Sequence, residues 1–315
     1  MKRITFLIFF LMVLGFLLLC PQTAFTYAKT GLMLWFYTLL PSLLPFLILS
    51  SLLLKTRYMD RFIHVSEALW QKIFSLSPQG AYALFLGIFC GYPMGAKITA
   101  DLYREQRISK KEASYLLTFT NHPGPAFLSA FLCVGIFQKP ELVFPTYGII
   151  YTSSFLCSLC TRHFFHSHTN LADNIPHKKE ISMPHNFGEI LDISIMNAFE
   201  TITRLGGYII LFSILQGIFS QILPASSRIQ YLLPCLIEVS TGLSALSASP
   251  WPFSILYPLA LGFTAFGGLC VAAQTKSMLA HTDLSLKPYL LGKLCCSVCT
   301  FLLAHFLIKI IKIVV

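Results

Sequence analysis

Apolar residues in this chain come in long runs. Polar residues gather between those runs and, at a few positions, inside them. A run of about twenty apolar residues is long enough to cross a bilayer core as a helix. The first run, Ile4–Cys20, follows Lys2 and Arg3 and precedes polar Gln22 and Thr23. It reads as a signal peptide or a retained anchor. Bulky residues at Ala24-Phe-Thr-Tyr-Ala28 make a poor cleavage site, which favours the anchor. The basic start places the N-terminus in the cytoplasm. Gly31–Leu54 is a second span, interrupted by Pro41 and Pro45. Segment 55–79, with Lys55, Arg57, Arg61 and Lys72, falls on the cytoplasmic side. Leu142–Cys160, Leu205–Leu223 and Pro288–Ile308 read as uninterrupted spans. Before the middle one, Ile190, Ile193, Phe199 and Ile202 stripe one side of a helix whose other side carries Asp192, Asn197 and Glu200. That pattern predicts an interfacial amphipathic helix, with Glu200 and Arg204 paired four residues apart.

Other apolar stretches are broken from within. Ala81–Ala100 contains Gly91-Tyr-Pro-Met-Gly95, and the next polar stretch, Asp101–Glu112, is basic. A full crossing would put those basic residues outside, so a re-entrant hairpin is expected. Ala113–Phe137 is broken at Asn121-His-Pro-Gly-Pro125, where Pro123 and Pro125 remove helical hydrogen bonds. From Ile229 to Ala280 the formal charges are Glu238 and Lys276, with interruptions at Glu238-Val-Ser-Thr-Gly242 and Phe266-Gly-Gly-Leu269. The order span, broken element, second break thus occurs in both halves. Interrupted helices in corresponding places of two halves point to an inverted-repeat transporter with its site near the bilayer midplane. The expected fold is an all-α polytopic membrane protein, an inverted-repeat bundle with broken helices and re-entrant hairpins. Its parts are an N-terminal anchor helix (1–30), a first repeat (31–162), a polar loop (163–190) and a second repeat (191–315). Strict inversion leaves the C-terminus outside, against the pull of Lys309 and Lys312.

Composition narrows the function classes. Of 315 residues, 55% are hydrophobic and 11% charged, too few charges to clothe a soluble surface of this size. The formal charge of +10 suits cytoplasmic loops against anionic lipid; no aromatic-and-basic module points to nucleic acid. The ten cysteines lie mostly within apolar runs and read as small packing residues. Cys157-Ser-Leu-Cys160 has redox spacing without the βαβ setting that gives it meaning. His163, His166, His168, His177 and His185 crowd one polar loop at uneven intervals, and no metal site is assigned to them. No metal pair, nucleophile–base set or nucleotide loop marks an enzyme, and no cofactor is expected.

The strings Gly-Tyr-Pro-Met-Gly-Ala-Lys (91–97), Thr-Asn-His-Pro-Gly-Pro-Ala-Phe-Leu (120–128), Glu-Val-Ser-Thr-Gly (238–242) and Phe-Gly-Gly-Leu (266–269) resemble the YlbJ-type sporulation integral membrane proteins, within the nucleoside-recognition or gate superfamily. The resemblance covers roughly residues 30 to 310. It implies a role in endospore formation, an architecture like that of concentrative nucleoside transporters, and movement of dipicolinate across the outer forespore membrane. A membrane scaffold for spore assembly, or a nucleoside or ion transporter of the same superfamily, is the alternative. H⁺ or Na⁺ is the coupling ion to consider, and a homo-oligomer is compatible.

For a small aromatic dianion the site needs positive potential and hydrogen-bond donors, which half-helix N-termini supply. Gly91, Gly95, Gly124, Gly242, Gly267 and Gly268 would allow tight backbone at the breaks, though close helix packing explains such glycines as well. Tyr92 and Pro93 lie within the first break, and Pro123 and Pro125 flank the second. Asn121 and His122 are placed to face a cavity. Lys97 would meet a carboxylate or snorkel to the cytoplasmic interface. Glu238, a carboxyl at membrane depth, is assigned to ion coupling or to a pair with Lys276 or Arg204. Ser240 and Thr241 would complete a polar hairpin tip, with Gln274 as a further lining residue.

Overall fold

The computed structural model describes residues 2–55, 67–165, 186–222 and 228–314. Arg57 and Arg61 and most of the 163–190 loop, including His166, His168, His177 and His185, lie outside the described residues. Every regular element among the described residues is a helix. Helix α1 (Lys2–Leu19) turns at Cys20 into α2 (Pro21–Met33), which opens on a proline at its first position. A π-wound turn, Leu34–Leu39, links α2 to α3 (Leu40–Lys55). The expected span therefore starts ten residues earlier than Gly31. It is not cut at Pro41: the Leu40 N–H donates to the Trp35 carbonyl five residues back, and the widened turn absorbs the missing proline amide.

Next come α4 (Glu67–Phe74), α5 (Pro78–Cys90) and α6 (Met94–Arg104). Ser77 caps α5 by accepting from Gly80 N at 3.0 Å. At 13 residues, α5 is about 20 Å long, short of a bilayer core of about 30 Å. Helices α5 and α6 fold against each other as the expected hairpin. Helix α7 (Lys110–Phe119) is capped by Ser109, which accepts from Glu112 N at 3.1 Å. Glu112 reaches past its own cap to accept from Ser77 N at 2.8 Å, tying the start of the hairpin to the start of α7. After the break at 120–124 the chain continues as the π-wound α8 (Phe127–Ile136) and returns in α9 (Val143–Phe165).

The second half runs α10 (Phe187–Ile222), α11 (Ile229–Ile237), α12 (Val239–Ser247), α13 (Phe253–Phe266), α14 (Gly268–Met278) and α15 (Lys287–Val314). The amphipathic stretch and the span after it are one 36-residue helix, α10, with Arg204 bonded to Glu200 as expected. Five helical stretches are long and apolar enough to cross a membrane: Pro21–Leu49, Pro140–Phe165, Phe187–Ile222, Phe253–Met278 and Lys287–Ile310. Their outward faces, such as Leu291, Leu294, Val298 and Phe306 on α15, are exposed apolar surface suited to lipid.

Two large buried cores are strung along the same helices, since α10, α13–α14 and α15 each pass from one to the other. One holds Leu84, Leu86, Ile98, Leu116, Ile202 and Tyr289; the other holds Leu39, Phe131, Ile150, Val239, Leu261 and Ala304. Helices α5, α6 and α7 belong to the first core, whereas α8, α12 and α13 belong to the second. The first hairpin therefore enters and leaves beside the first core, and α7–α8 runs from that core to the other. In the second half the sense is reversed: α11–α12 is a hairpin at the second core, and α13–α14 runs back toward the first. Helix α15 starts at Tyr289 in the first core and passes Ala304 in the second, so Lys309 lies at the end opposite Arg104 and Lys110. The inversion is carried through to the last helix.

Candidate functional site

The breaks meet in two matched pairs. At the first, Gly91 has φ +72° and ψ −172°, and its backbone lies against Gly124 of the α7–α8 break. A Cβ on Gly91 would run into the Gly124 backbone. At the second, α13 ends on Gly267 (φ +84°) and Gly268 (φ +75°) presses on the carbonyls of Cys235, Leu236 and Ile237 in the other hairpin. Gly95 and Gly242 fit the packing alternative given for them. Each sits inside a helix where a Cβ would strike neighbouring backbone, at Thr120 and at Cys235 respectively, so both serve packing.

The second hairpin also turns earlier than expected. Its turn is at Glu238 itself, between Ile237 and Val239, and Ser240 and Thr241 lie in the first turn of α12. Glu238 is the N-cap: its carboxyl accepts from Ser240 N at 3.0 Å and Thr241 N at 2.7 Å. The pairings considered for it are absent. Lys276 is exposed, and Arg204 is engaged by Glu200. Instead, the Thr241 hydroxyl lies 2.7 Å from Glu238 Oε2 and 2.9 Å from Gln216 Oε1 of α10. Gln216 Nε2 donates to the carbonyls of Pro234 and Glu238 at 2.9 and 3.2 Å.

Between the paired breaks, Asn121 Nδ2 donates to Thr275 Oγ1 of α14 at 2.9 Å, joining the first break to the second repeat. His122 is buried, edge-on to Tyr151 with ring centroids 5.4 Å apart, and borders a cavity of about 10 Å³. Lys293 of α15 shares that cavity. Its side chain is 3% exposed, and its ammonium donates to the Ala265 carbonyl at 3.1 Å. That carbonyl belongs to the last turn of α13, where helical partners run out. The rings of Tyr92 and Tyr289 stand 5.8 and 5.9 Å from Lys293 Nζ. Among the described residues, no carboxylate pairs with Lys293. The hydroxyls of Tyr92 and Tyr151 are buried without a protein partner, as is Gln274 Oε1 on α14, whereas the Tyr289 hydroxyl lies within reach of Thr275 and Asn121. Gln274 otherwise donates to Cys270 Sγ at 3.2 Å. Pro93 and Pro123 lie buried beside these groups and Pro125 is part-buried; Lys97, half-exposed on α6, does not line the cavity.

A relative, "Sporulation integral membrane protein YlbJ" of Bacillus subtilis (strain 168), is 30% identical over 322 aligned positions, covering 91% of this chain and 78% of its own length. The chain belongs to that family of sporulation integral membrane proteins. The Gate family, described as nucleoside recognition, matches residues 36–140. No solved structure matches the chain. The Gate match takes in the first hairpin and the first broken helix, and with them Gly91, Asn121 and His122. Lys293 and Gln216 lie beyond it, and the sequence reading passed over both because each is a single polar residue in an otherwise apolar span. Periodicity carried the missing signal. Tyr289, Lys293, Cys296, Thr300 and Ala304 are spaced 4, 3, 4 and 4 apart on one buried face of α15. A lysine on the buried face of a span is a functional candidate by default.

Proposed function

We propose that this YlbJ-family protein is a carrier that moves a small carboxylate-bearing metabolite across the membrane by alternating access. Its site lies where the hairpin tips and broken helices meet, and its substrate is dipicolinate during endospore formation, in the outer forespore membrane. The observation that carries this reading is Lys293. A buried ammonium without a counter-charge is costly, by several kcal/mol. Its three donors have one protein acceptor between them. A carboxylate supplies both the missing charge and the missing acceptor. The rest of the setting suits a flat aromatic dianion: Tyr92 and Tyr289 offer ring faces, Tyr92 offers an unpartnered hydroxyl, and His122 and Tyr151 offer further polar groups. The cavity now holds space for about one water, so binding requires the walls to part. The hairpins are the elements free to do so, since each is anchored at only one end of the bundle.

Uptake of labelled dipicolinate into proteoliposomes tests this. Lys293→Met, which keeps the stem and removes the charge, is expected to abolish uptake while the purified protein is at least as heat-stable as the parent. Uptake at the parental rate by Lys293→Met would overturn the anion site. No uptake by the parent, in either gradient direction, would overturn the substrate.

A further inference from the structure

A second cavity lies away from Lys293, along one face of α10. Ser213, Gln216, Gly217 and Ser220 share that face by their spacing, a polar and small stripe in an otherwise apolar span. On one flank Gly217 lets the Tyr27 ring of α2 lie against the helix, since a Cβ there would stand 2.9 Å from it. On the other flank Gln216 donates to the carbonyls of Pro234 and Glu238 and meets the Thr241 hydroxyl. Helix α2 and the second hairpin are thereby held on either side of the stripe. The space left between them measures about 370 Å³, and its walls mix Thr30, Gln230 and Ser244 with Phe219, Leu233 and Ile237. That volume lies within the range of small-molecule pockets, roughly 300–1,000 Å³.

The Ser213 hydroxyl marks this space as a binding site rather than a packing gap. Ser213 lines the cavity and is 1% exposed, yet its hydroxyl has no protein partner, not even the carbonyl one turn back that a helical serine commonly uses. Gly31 of α2 leaves it uncovered, since a Cβ at that position would come within 2.6 Å of the oxygen. A bare buried hydroxyl is costly, and a ligand's hydrogen bond removes the cost. Charge then decides the class of ligand. No residue lining the cavity carries a formal charge, so a dianion would lose its hydration here without a counter-charge. The hydroxyls and amides suit a head that both gives and accepts hydrogen bonds, and Phe219, Leu233 and Ile237 suit an apolar body. Thr30, Phe219 and Ser244 are exposed, so the space has its mouth at the surface of the bundle. Ser213 lies nine residues before Ile222 at the end of α10, about 14 Å inward along the axis. An uncharged head reaches such a depth at far lower cost than a charged phospholipid head. We propose that this cavity binds the glycerol head of a neutral lipid, with Ser213, Gln216 and Thr241 as its floor and Thr30 and Ser244 at its mouth. Its occupant touches α10 and the second hairpin at once, beside the contact between Gln216 and Thr241 that ties them. The site stands apart from Lys293 and does not depend on the carrier reading.

Photolabelling of the full chain in phosphatidylcholine liposomes tests the site without any transport. The probe is a trace of monoacylglycerol with a diazirine on the acyl carbons next to its ester. After irradiation and digestion, the parent is expected to carry the label within residues 213–245. Excess dioctanoylglycerol should remove the label, whereas phosphatidylglycerol, which presents a glycerol behind a charged phosphate, should not. Ser213→Ala should weaken competition by dioctanoylglycerol roughly fivefold, the worth of one neutral hydrogen bond. It should not lower the melting temperature of the lipid-stripped protein, because that hydroxyl has no protein bond to lose. Ser244→Phe, at the exposed mouth, should abolish the label by filling the entrance. Label spread evenly over the outer helices, or undiminished in Ser244→Phe, overturns the proposal. Free glycerol competing as well as dioctanoylglycerol would assign the cavity to a soluble polyol and overturn the lipid. A melting temperature lowered by Ser213→Ala would give that hydroxyl to the fold and remove it from the site. Should Ser213→Ala fail to purify, Ser244→Phe alone decides.

Discussion

The two hairpin tips occupy equivalent, inverted places and are closed by different means. At the first, the contact is backbone on backbone: Gly91 in a conformation that side-chain-bearing residues rarely adopt, seated against Gly124. At the second, the contact includes a carboxyl, a hydroxyl and an amide, with Glu238 capping α12 and Gln216 tying the hairpin to α10. One closure is steric and indifferent to solution conditions. The other is made of hydrogen bonds that a competing ligand can exchange. Duplication of a unit therefore does not duplicate its chemistry. The repeat supplies the frame, and individual side chains decide how each tip is closed.

The comparison breaks most readily at Gly91. Gly91→Ala must hold a side chain at φ +72° and ψ −172°, which costs on the order of 1–3 kcal/mol, and overpacking against Gly124 adds a further 1–3 kcal/mol or so. The protein should lose abundance in the membrane or melt far earlier in detergent. Glu238→Gln keeps one of the two cap bonds, since its NH2 cannot accept from a backbone N–H, and should cost about 1–2 kcal/mol, less than Gly91→Ala. Equal tolerance of the two substitutions would mean that the tips are closed alike.

Asn121→Ala and His122→Ala ask a subtler question, because both residues belong to the steric side yet carry donors. Asn121→Ala removes the bond to Thr275, a stability loss of about 1 kcal/mol. If the residue also contacts a charged solute, roughly 1.5–3 kcal/mol of binding disappears, tenfold to a hundredfold in affinity. The expected result is a protein inserted and abundant but slow in moving dipicolinate, with spores poor in it. Normal filling of spores by both variants would move the cavity elsewhere. Disappearance of the protein would make both residues structural.

How much of this was legible follows from the same contrast. Breaks made by backbone chemistry show in a sequence, since Gly91-Tyr-Pro, Pro-Gly-Pro at 123–125 and Gly267-Gly268 announce where a helix cannot continue. The hairpin at 81–100 and the inverted order of elements could be read from these and from basic residues. What depends on a partner distant in sequence could not. Gln216 acquires its role from Pro234, Glu238 and Thr241, and Lys293 from the end of α13. Glu238 showed as a carboxyl at membrane depth, but its bonding to its own helix start placed the turn at Glu238 rather than within 238–242. The π-wound segments at 34–39 and 127–136 carried no local signal, since each is an adjustment to a nearby proline or to packing.

The smallest effect is expected away from both tips, where the repeats touch at the end of the bundle that holds Arg104 and Lys110. Asp283, in the link from α14 to α15, accepts from Lys110 Nζ at 2.6 Å and from Tyr103 at 2.7 Å. Those bonds, Lys110 first, hold its carboxyl below the usual range, and the same pairing raises Lys110. A depressed carboxyl stabilises the fold at pH above its unfolded value, and the benefit disappears as pH falls through the folded value. A raised lysine gives stability that is full below its unfolded value and disappears as pH rises through the folded one. The contact should therefore be constant through neutral pH and fail only at the acid and alkaline extremes. Both charges are more than half exposed, so salt screens them and little stability depends on them. Asp283→Asn should leave the neutral-pH melting temperature within a degree or two of the parent, by the usual size of surface effects, and remove any salt dependence of the difference. A large loss at neutral pH would show that this outer contact, rather than the tips, clamps the two repeats together. The contrast between a steric and a hydrogen-bonded closure would then describe the wrong part of the molecule.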